Sequence, residues 1–388
     1  MNRHASSSRR WVSLGIALLP VLLFSPRAQG DFVRGDANGD AIVNLSDPIQ
    51  VLSYLFGGGS GTCLDGADAS DDGAVNLLDP ILTLAYLFTG GPPLPAPFPG
   101  CGTDPTTDGL DCALAPIACG SSYPGLTLVG KNPQGYLEYT LDLDPSVVLI
   151  LIPGGTFAMG QELTNGQPVH AVTLSPYFLA KYEITNAQYR TFCDATLTPY
   201  PPSPNCCGLP LDHFTNPNYA DHPVVMVSWN ELTSSRGYLD WAGLVLPTEA
   251  QWEFAARGVE GRSYPWGEDS PAVGSVYRAN GCWGYDCGSS DGWVYTSPVN
   301  ASPFDQYPGP HGTLGQAGNV WEWCHDWLEL YGPDPETDPV GPAVGTARAI
   351  RGGGWFLFAF HLQSANRYSF SPNTRHTYVG LRPARPFP

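Results

Sequence analysis

The sequence predicts an α+β protein in which a small all-α module precedes a large domain rich in irregular loop. A unit made of a loop and a helix occurs twice near the N-terminus, beginning at Asp36 and again at Asp68. From Asp144 onward, short apolar runs typical of strands alternate with helices that begin at capping motifs. Glycine, proline and aromatic residues are abundant between these elements, so we expect buried rings to hold the loops together.

The first 30 residues have the pattern of a secretory signal peptide. Arg3, Arg9 and Arg10 precede an apolar run over 11–24, and cleavage is expected after Gly30. That run is too short to span a membrane, and no later stretch reaches about 18 consecutive apolar residues. We therefore expect a secreted or cell-surface protein without a membrane span.

Four of the 18 lysine and arginine residues and none of the 36 acidic residues lie in this segment, so the remainder has a net charge of −22. Such an acidic chain is poorly suited to nucleic acid and well suited to Ca²⁺. All ten cysteines follow residue 30, and their even number predicts disulfides in an oxidising compartment. Cys206 and Cys207 are adjacent and too constrained to bridge each other easily, so each is expected to pair elsewhere or one to stay free.

The duplicated unit fills residues 31–90 and places oxygen-bearing side chains at positions 1, 3, 5, 9 and 12 of each loop. These residues are Asp36, Asn38, Asp40, Asn44 and Asp47 in the first loop, and Asp68, Ser70, Asp72, Asn76 and Asp79 in the second. The spacing surrounds one Ca²⁺ with hard oxygen donors, and a backbone carbonyl at position 7 completes the set. The alternative is an Asp-rich solvated turn, which gives no reason for the same register to occur twice.

The pair resembles dockerin type I modules, whose EF-hand loops carry Asp rather than Glu at position 12. The resemblance implies calcium as a cofactor and a cohesin-like or cell-surface protein as a partner. Position 6 is Gly73 in the second loop but Ala41 in the first. Because a positive φ is costly for alanine, we expect the first loop to bind calcium more weakly.

Residues 91–143 are predicted to be a linker rich in Pro, Gly and Cys. Its first ten residues, GPPLPAPFPG, are half proline and should form an extended, semi-rigid spacer. Cys101, Cys112 and Cys119 follow in a region rich in glycine, proline and aspartate. A local disulfide is expected there, with Cys63 as another available partner.

The large domain is predicted over residues 144–386 and begins with the strand-like run SVVLILI at 146–152. Three of its helices are predicted to begin at capping boxes, in which a Ser or Thr and a Gln or Glu three residues later bond to each other's backbone. The boxes are Thr185 with Gln188, Ser228 with Glu231, and Thr248 with Gln251. Gly243 and Gly258 are expected to end the second and third helices.

Eight motifs occur along this domain in the order IPGGTFAMG (152–160), YEITNAQYRTF (182–192), HPVVMVSW (222–229), LPTEAQWEFAARG (246–258), YPWG (264–267), AGNVWEW (317–323), RGGGW (351–355) and VGLR (379–382). Together they resemble the formylglycine-generating enzyme, or sulfatase-modifying factor, family. The resemblance implies a C-type-lectin-like fold with little regular secondary structure. It also implies the activity of some members, which use copper and oxygen to oxidise a sulfatase cysteine to formylglycine.

In catalytic members, two cysteine thiolates bind copper shortly after the glycine motif that corresponds to residues 352–354. This sequence has no cysteine after Cys324, and thiolate is the soft ligand that selects Cu(I). We therefore expect no copper and assign no catalytic residue. The first hypothesis is a calcium-binding protein whose large domain binds a protein, peptide or glycan. The alternative is a metal-dependent oxidoreductase of the formylglycine-generating type with unrecognised ligands, among them His361 and His376.

The segment 351–370 supplies the candidate ligand surface. After the glycines it carries several large rings and no acidic residue. Such rings can line a cleft that binds a peptide or a sugar face by stacking. The candidates are Trp355, Phe356, Phe358, Phe360, His361 and Tyr368. The alternative is core packing, with the glycines forming a tight turn and Trp355 buried after it.

The family resemblance also implies two calcium sites in the large domain. The first carries over to the side chains of Asn280 and Asp291 with the carbonyls of Gly281 and Trp293. The second carries over to Glu322 with the carbonyls of Gly318 and Val320, although Gly315 stands where the family has an Asn or Asp ligand. For Asn280 and Asp291 the alternative is loop capping, and for Trp321 and Trp323 core packing is favoured. The spacing of Cys282 and Cys287 permits a small disulfide in the same loop.

Overall fold

A computed structural model describes residues 32–38, 43–57, 63–98, 102, 105–106, 110, 123–162, 165–283 and 290–388. Near the N-terminus lie the helices α1 (Ser46–Gly57), α2 (Leu64–Ala67) and α3 (Leu78–Thr89). Pro48 and Pro80 lie in the first turns of α1 and α3, where a missing N–H is tolerated. Gly90, with a φ of 70°, ends α3. The predicted helix after each loop is confirmed, and a small apolar cluster of Ala37, Val51 and Ala67 packs beside these helices.

The first sheet of the large domain contains both ends of that domain. Its strands are β1 (Leu126–Lys131), β2 (Leu137–Leu141), β3 (Asp144–Ile152), β6 (Tyr177–Ala180) and β14 (Ala384–Pro386), in the order β1-β2-β3-β6-β14. β3 lies at the centre, and its last four residues are fully buried. Burial on both faces explains why this strand is a continuous apolar run rather than an alternating one.

The position of β1 and β2 corrects the predicted domain boundary. Both strands lie inside the stretch 91–143 that the sequence assigned to a linker, yet they pair with each other and with β3. The folded domain therefore begins before residue 144. The proline and glycine content of the preceding residues obscured two short runs, LTLVGK and LEYTL, whose alternation is typical of strands.

Two further sheets carry four of the eight sequence motifs. The strands β4 (Gly155–Met159), β5 (His170–Leu174) and β10 (Glu336–Thr337) form a sheet in the order β10-β5-β4. The strands β9 (Trp321–Trp327), β11 (Arg348–Arg351), β12 (Arg367–Phe370) and β13 (Val379–Gly380) form another in the order β12-β11-β9-β13. A short hairpin joins β7 (Ala272–Val273) to β8 (Val276–Tyr277). The four-stranded sheet thus aligns the AGNVWEW, RGGGW and VGLR motifs side by side.

Three of the four described helices of the large domain begin where the capping boxes predict. The four helices are α4 (Asn186–Thr196), α5 (Trp229–Leu232), α6 (Tyr238–Ala242) and α7 (Glu249–Arg257), with 3₁₀ turns at Pro217–Tyr219, Phe304–Gln306 and Ala359–Leu362. All three capping boxes form. Gly243 and Gly258 follow α6 and α7 as expected. The predictions for the starts of α4, α5 and α7 are confirmed.

One helix prediction was wrong, because the segment between Ser228 and Gly243 forms two helices rather than one. The hydroxyls of Thr233 and Ser234 donate to the carbonyls of Trp229 and Glu231, which competes with helix continuation. A Cβ at Gly237 would lie only 2.2 Å from the Glu231 oxygen, so the chain passes close to the end of α5. Within the described ranges, no helix is long and apolar enough to cross a membrane.

The described cysteines fall into two groups. Cys63 and Cys282 are disulfide-bonded, and the cysteines that pair with them lie outside the described residues. The predicted pairing of Cys282 with Cys287 therefore stays a prediction. The other group carries free thiols and consists of Cys193, Cys206, Cys207 and Cys324.

Candidate functional site

The segment 351–370 leaves the end of β11 through a tight glycine turn. Gly352 and Gly353 have φ values of 98° and 80°, a region that residues with a Cβ rarely adopt. A Cβ at Gly353 would also lie 2.5 Å from Leu362 Cδ2. Trp355 comes after the turn and is 7% exposed. The predicted turn and the burial of the tryptophan are both confirmed.

A continuous row of ring contacts extends from this turn across the edge of the four-stranded sheet. Neighbouring ring centroids lie between 3.5 and 6.1 Å apart. The rings, which we call the aromatic row, are in order Trp355, Phe356, Tyr378, His376, Phe370, Tyr368 and Trp321. Tyr368 is 55% exposed, and the four rings between it and Trp355 are partly exposed. The row therefore offers ring surface to solvent while both of its ends are anchored in the core.

The structure divides the six predicted ligand residues into two groups. Trp355, Phe356 and Tyr368 belong to the aromatic row. Phe358, Phe360 and His361 lie at the following 3₁₀ turn, where the ring of Phe360 contacts that of His361. Phe358 lines a separate open depression of about 410 Å³ beside Tyr277 and Trp283. A single cleft containing all six residues is therefore not present.

Sequence reasoning did not assign four members of the aromatic row to the ligand surface, and for one of them, Trp321, it favoured core packing. Phe370, His376 and Tyr378 lie at or beyond the end of the segment that attracted attention, and they join the row through β12 and the chain that leads into β13. His376 and Tyr378 are two residues apart, which places their rings in contact with a 3.5 Å centroid separation. That spacing was the available signal, but it is too common to identify a surface by itself.

Three buried arginines form ion pairs with glutamates of the sequence motifs. Arg351 of RGGGW bonds to Glu253, Arg367 bonds to Glu249, and Arg382 of VGLR bonds to Glu322. The side chains in these pairs are at most 4% exposed. Burial opposes the ionisation of Glu253, but Arg351 and Arg257 outweigh it and hold its pKa below the usual range. These motif residues therefore have a clear structural role.

Two buried carboxyl groups of the large domain have raised pKa values. Burial raises the pKa of Glu183 to about 8, against the opposing effect of Arg382. Burial, helped by the nearby Glu249, raises the pKa of Asp326 to about 7. Glu183 is 1% exposed and Asp326 is 5% exposed. Asp326 nonetheless lines a pocket of about 430 Å³ beside Glu249 and Arg367.

The four residues predicted for the first calcium site of the large domain come together. Asp291 accepts hydrogen bonds from the backbone N–H groups of Gly281 and Trp293, each at 3.0 Å. These bonds also support loop capping, and burial raises the pKa of Asp291. Asn280 is 2% exposed, and its Oδ1 has no hydrogen-bond partner among the described residues. A buried oxygen without a partner fits a cation, because a bound ion would supply the missing contact.

The second predicted set in the large domain is less suited to calcium. The carboxylate of Glu322 accepts hydrogen bonds from Arg382 at both oxygens and from the indole of Trp252. Its charge is therefore already balanced by an arginine. A Cβ at Gly315 would lie 2.6 Å from Glu183 Oε2, so there is no room for the larger ligand that the family has there. Gly318 and Val320 remain predicted carbonyl ligands, but the geometry disfavours an ion beside Glu322.

The duplicated N-terminal loops share the same internal hydrogen bonds. Asp79 accepts from the backbone N–H groups of Ser70 at 2.9 Å and Asn76 at 2.7 Å. Asp47 accepts in the same way from Asn38 at 3.3 Å and Asn44 at 2.8 Å. The position-12 carboxylate thus bonds to positions 3 and 9 in both loops. This equivalence favours two copies of one ligand-binding loop over a solvated turn.

Four of the loop carboxylates are enclosed, whereas Asp72 is exposed. Asp36, Asp47, Asp68 and Asp79 are at most 1% exposed. Burial raises the pKa of Asp79, and the neighbouring charge of Asp68 adds to the effect. Asp72 accepts from the backbone N–H of Ala74, and Asp40 lies outside the described residues. Buried acids that repel one another fit a cation that would neutralise them.

A copper site does not fit the described residues. Across the described ranges, no group of three or more His, Cys, Asp and Glu side chains is arranged to hold a metal ion. The described side chains of the Asp-rich loops do not form such a group either. They would therefore have to move closer together to bind calcium. Cys193 and Cys324 are buried single thiols, and burial raises the pKa of each. His361 contacts Phe360 whereas His376 lies in the aromatic row, so the structure records no contact between the two histidines.

Comparison with known proteins supports the resemblance seen in the motifs. The model of the sulfatase-modifying factor enzyme 1-like domain family matches residues 143–387. A formylglycine-generating enzyme of Streptomyces coelicolor is 35% identical over 274 residues, which cover 59% of this chain and 84% of the relative. One of Thermomonospora curvata is 35% identical over 279 residues, which cover 59% of this chain and 88% of the relative.

Among solved structures, PvdO from Pseudomonas aeruginosa superposes with a TM-score of 0.53. It is 23% identical in sequence, and the match covers 69% of this chain and 100% of that one. At this identity the likeness concerns the fold alone. It agrees with the mixed sheets, few helices and long loops described above.

Proposed function

The chain belongs to the sulfatase-modifying factor family through residues 143–387, and from this premise we propose that it is a non-catalytic member. In this proposal it is a secreted, calcium-binding protein whose large domain binds a protein, peptide or glycan through the aromatic row. The calcium ions stabilise the duplicated loops and the loop that contains Asn280 and Asp291. The N-terminal module with the duplicated loops and the large domain then bind different partners.

The observation that carries this proposal concerns the residues immediately after the glycine turn. The catalytic pattern requires two thiolates there, whereas this chain has rings and has no cysteine after Cys324. Ring carbon is not a copper ligand, and imidazole nitrogen is a harder ligand than the thiolates that select Cu(I). The raised pKa values of Glu183 and Asp326 belong to groups that are at most 5% exposed. Asp326 lines a pocket to which no residue of the aromatic row contributes.

The chemistry of the aromatic row favours a ligand that stacks on rings. Tyr368 is more than half exposed, although its ring stays in contact with Phe370 and Trp321. A preordered ring of this kind loses little conformational freedom when a proline ring or a sugar face covers it. The net charge of −22 that remains after residue 30 disfavours anionic ligands. We therefore propose a neutral or basic ligand, either a proline-rich peptide segment or an uncharged glycan.

The duplicated loops support a second contact, with a cohesin-like or cell-surface protein. Helices α1 and α3, with the residue immediately before each, expose equivalent apolar side chains. They are Leu45, Ile49 and Phe56 near the first loop and Leu77, Ile81 and Phe88 near the second, each at least 50% exposed. Exposed apolar side chains in such a pattern are typical of a protein-binding face. Removing residues 31–90 is expected to abolish attachment to such a partner.

Binding measurements on the full chain test the proposal for the large domain. Proline-rich peptides and neutral glycans would be screened first, and any ligand found would be titrated by calorimetry against Tyr368→Ala. We expect about fivefold weaker binding, since a stacked ring contributes on the order of 1 kcal/mol. Tyr200→Ala is the matched control because Tyr200 is 45% exposed and lies outside the row. The proposal fails if neither ligand class binds and oxidase turnover is measured.

A second candidate is a formylglycine-generating oxidoreductase that uses other ligands. It is supported by the 35% identity to proteins with that name over most of their length. This candidate requires a stoichiometric redox metal and oxygen consumption with a sulfatase-derived cysteine peptide. Both should be lost on changing His361 or His376 to alanine. Oxygen consumption by the wild type that either variant abolishes would favour this candidate.

A further inference from the structure

Cys206 and Cys207 form an unusual turn beside the aromatic row. The two sulfur atoms are 2.7 Å apart, and the Cys207 thiol donates to Cys206 Sγ. Successive side chains of an extended chain point to opposite sides. Here Cys207 has a φ of 67° and Gly208 one of 82°. This left-handed backbone brings two adjacent thiols to the same side, which removes the obstacle expected from the sequence.

The surroundings hold this turn in place. Cys206 Sγ lies 3.3 Å from the hydroxyl oxygen of Thr377, a fully buried residue next to Tyr378 of the row. A Cβ at Gly208 would lie 2.7 Å from the Tyr295 hydroxyl, so the turn packs closely against that ring. Tyr295 in turn meets Trp355 edge to face. The turn is thus fixed at one side of the aromatic row.

Neither thiol has another thiol available among the described residues. Cys193 and Cys324 are the remaining free cysteines there, and they are 1% and 0% exposed. Cys207 is exposed and Cys206 is partly exposed. A small oxidant can therefore reach the pair while it cannot reach the buried thiols. Each sulfur has its adjacent partner already within contact.

We propose that Cys206 and Cys207 are a redox-modification site that forms a reversible vicinal disulfide. The oxidant is a small-molecule disulfide such as oxidised glutathione. The thiolate of one cysteine attacks a sulfur of this disulfide, which releases one glutathione thiolate and leaves a mixed disulfide. The thiolate of the other cysteine attacks the protein sulfur and displaces the second glutathione. The protein loses two electrons and two protons, and glutathione disulfide is reduced to two thiols.

The same geometry predicts a slow and easily reversed reaction. Burial, together with the hydrogen bond to Cys206, raises the pKa of the Cys207 thiol. Because the thiolate is the nucleophile, exchange should accelerate as the pH rises. An accessible disulfide between adjacent residues belongs to the labile class rather than the structural one. The proposed redox reaction of Cys206 and Cys207 does not require that the large domain bind a ligand or act as an oxidase.

Mass spectrometry of the full chain tests the proposal. The protein would be treated with reduced or oxidised glutathione, blocked with iodoacetamide and digested. After oxidation, we expect the peptide containing both cysteines to be lighter by two hydrogen atoms and to take no label. After reduction it should take two labels. In Cys206→Ser and Cys207→Ser, a glutathione adduct on the remaining thiol should accumulate instead, whereas Cys193→Ser should behave as the wild type.

A second measurement does not depend on any variant folding. A trivalent arylarsenical, which requires two neighbouring thiols, should bind the reduced wild type at one per chain and the oxidised wild type not at all. Two labelled thiols after oxidation, two glutathione adducts on one peptide, or a cross-link from either cysteine to another cysteine would each overturn the proposal. Absence of arsenical binding to the reduced protein would also overturn it.

Discussion

Replacing Arg382 by methionine tests how the family motifs hold the large domain together. The guanidinium is 0% exposed, and it donates to Glu322 at 2.8 and 2.9 Å. It also donates to the carbonyls of Lys181 and Leu314, each at 2.7 Å. Methionine fills similar space but leaves the Glu322 charge buried without its cation. Breaking a buried pair in this way costs about 3–5 kcal/mol of unfolding free energy.

Urea unfolding followed by tryptophan fluorescence provides the assay. Beyond Trp11, every tryptophan lies between Trp229 and Trp355, so the signal reports the large domain alone. Arg375→Met is the matched control, since Arg375 and its partner Glu231 are 44% and 42% exposed. This variant should lose at most about 1 kcal/mol.

The double variant Arg382→Met with Glu322→Leu separates the lost pair from the lost packing. It should be more stable than Arg382→Met alone, because it removes the unpaired charge. The reasoning is refuted if Arg382→Met loses no more stability than Arg375→Met. It is equally refuted if the double variant is the least stable of the three.

Three further predictions concern calcium, pH and the glycine turn. Asp79→Asn should remove one calcium ion per chain in a calorimetric titration, because it removes an enclosed carboxylate of the second loop. Asp326 has a pKa raised from 3.8 to about 7, so its contribution to stability is present below about pH 4 and is lost as the pH rises through 7. Asp326→Asn should therefore flatten the unfolding free energy over that interval in urea titrations at several pH values. Gly353→Ala should cost about 1–3 kcal/mol because of its positive φ and the approach of Leu362. Gly332→Ala, at an open position without a positive φ, should be near neutral in the same unfolding assay.

Local signals in the sequence predicted local structure well. The capping boxes at Thr185, Ser228 and Thr248 each use residues three positions apart, and all three form. The motif series implied a C-type-lectin-like α+β fold, which is confirmed by the family match and by the likeness to a solved relative. The glycine turn was also predicted, because glycines adopt the positive φ angles of a tight turn without steric cost.

Features that depend on distant residues were missed or only partly predicted. The break near Gly237 depends on how closely the chain passes the end of α5, which no local pattern reveals. The aromatic row needs β12, the chain before β13 and the glycine turn to meet, so His376 and Tyr378 could not be assigned to it in advance. The contact between Cys206 and Thr377 joins residues that are 171 positions apart. Such contacts are set by tertiary packing rather than by local propensity.

Elemental analysis tests the central claim most directly. The purified protein would be loaded with calcium and copper, desalted and analysed for calcium, copper and iron. A non-catalytic calcium-binding member should retain about three calcium ions per chain, two in the duplicated loops and one beside Asn280 and Asp291, without stoichiometric copper or iron. About one copper or iron per chain would contradict the account, because it would require a redox-metal site that the residues after the glycine turn do not provide.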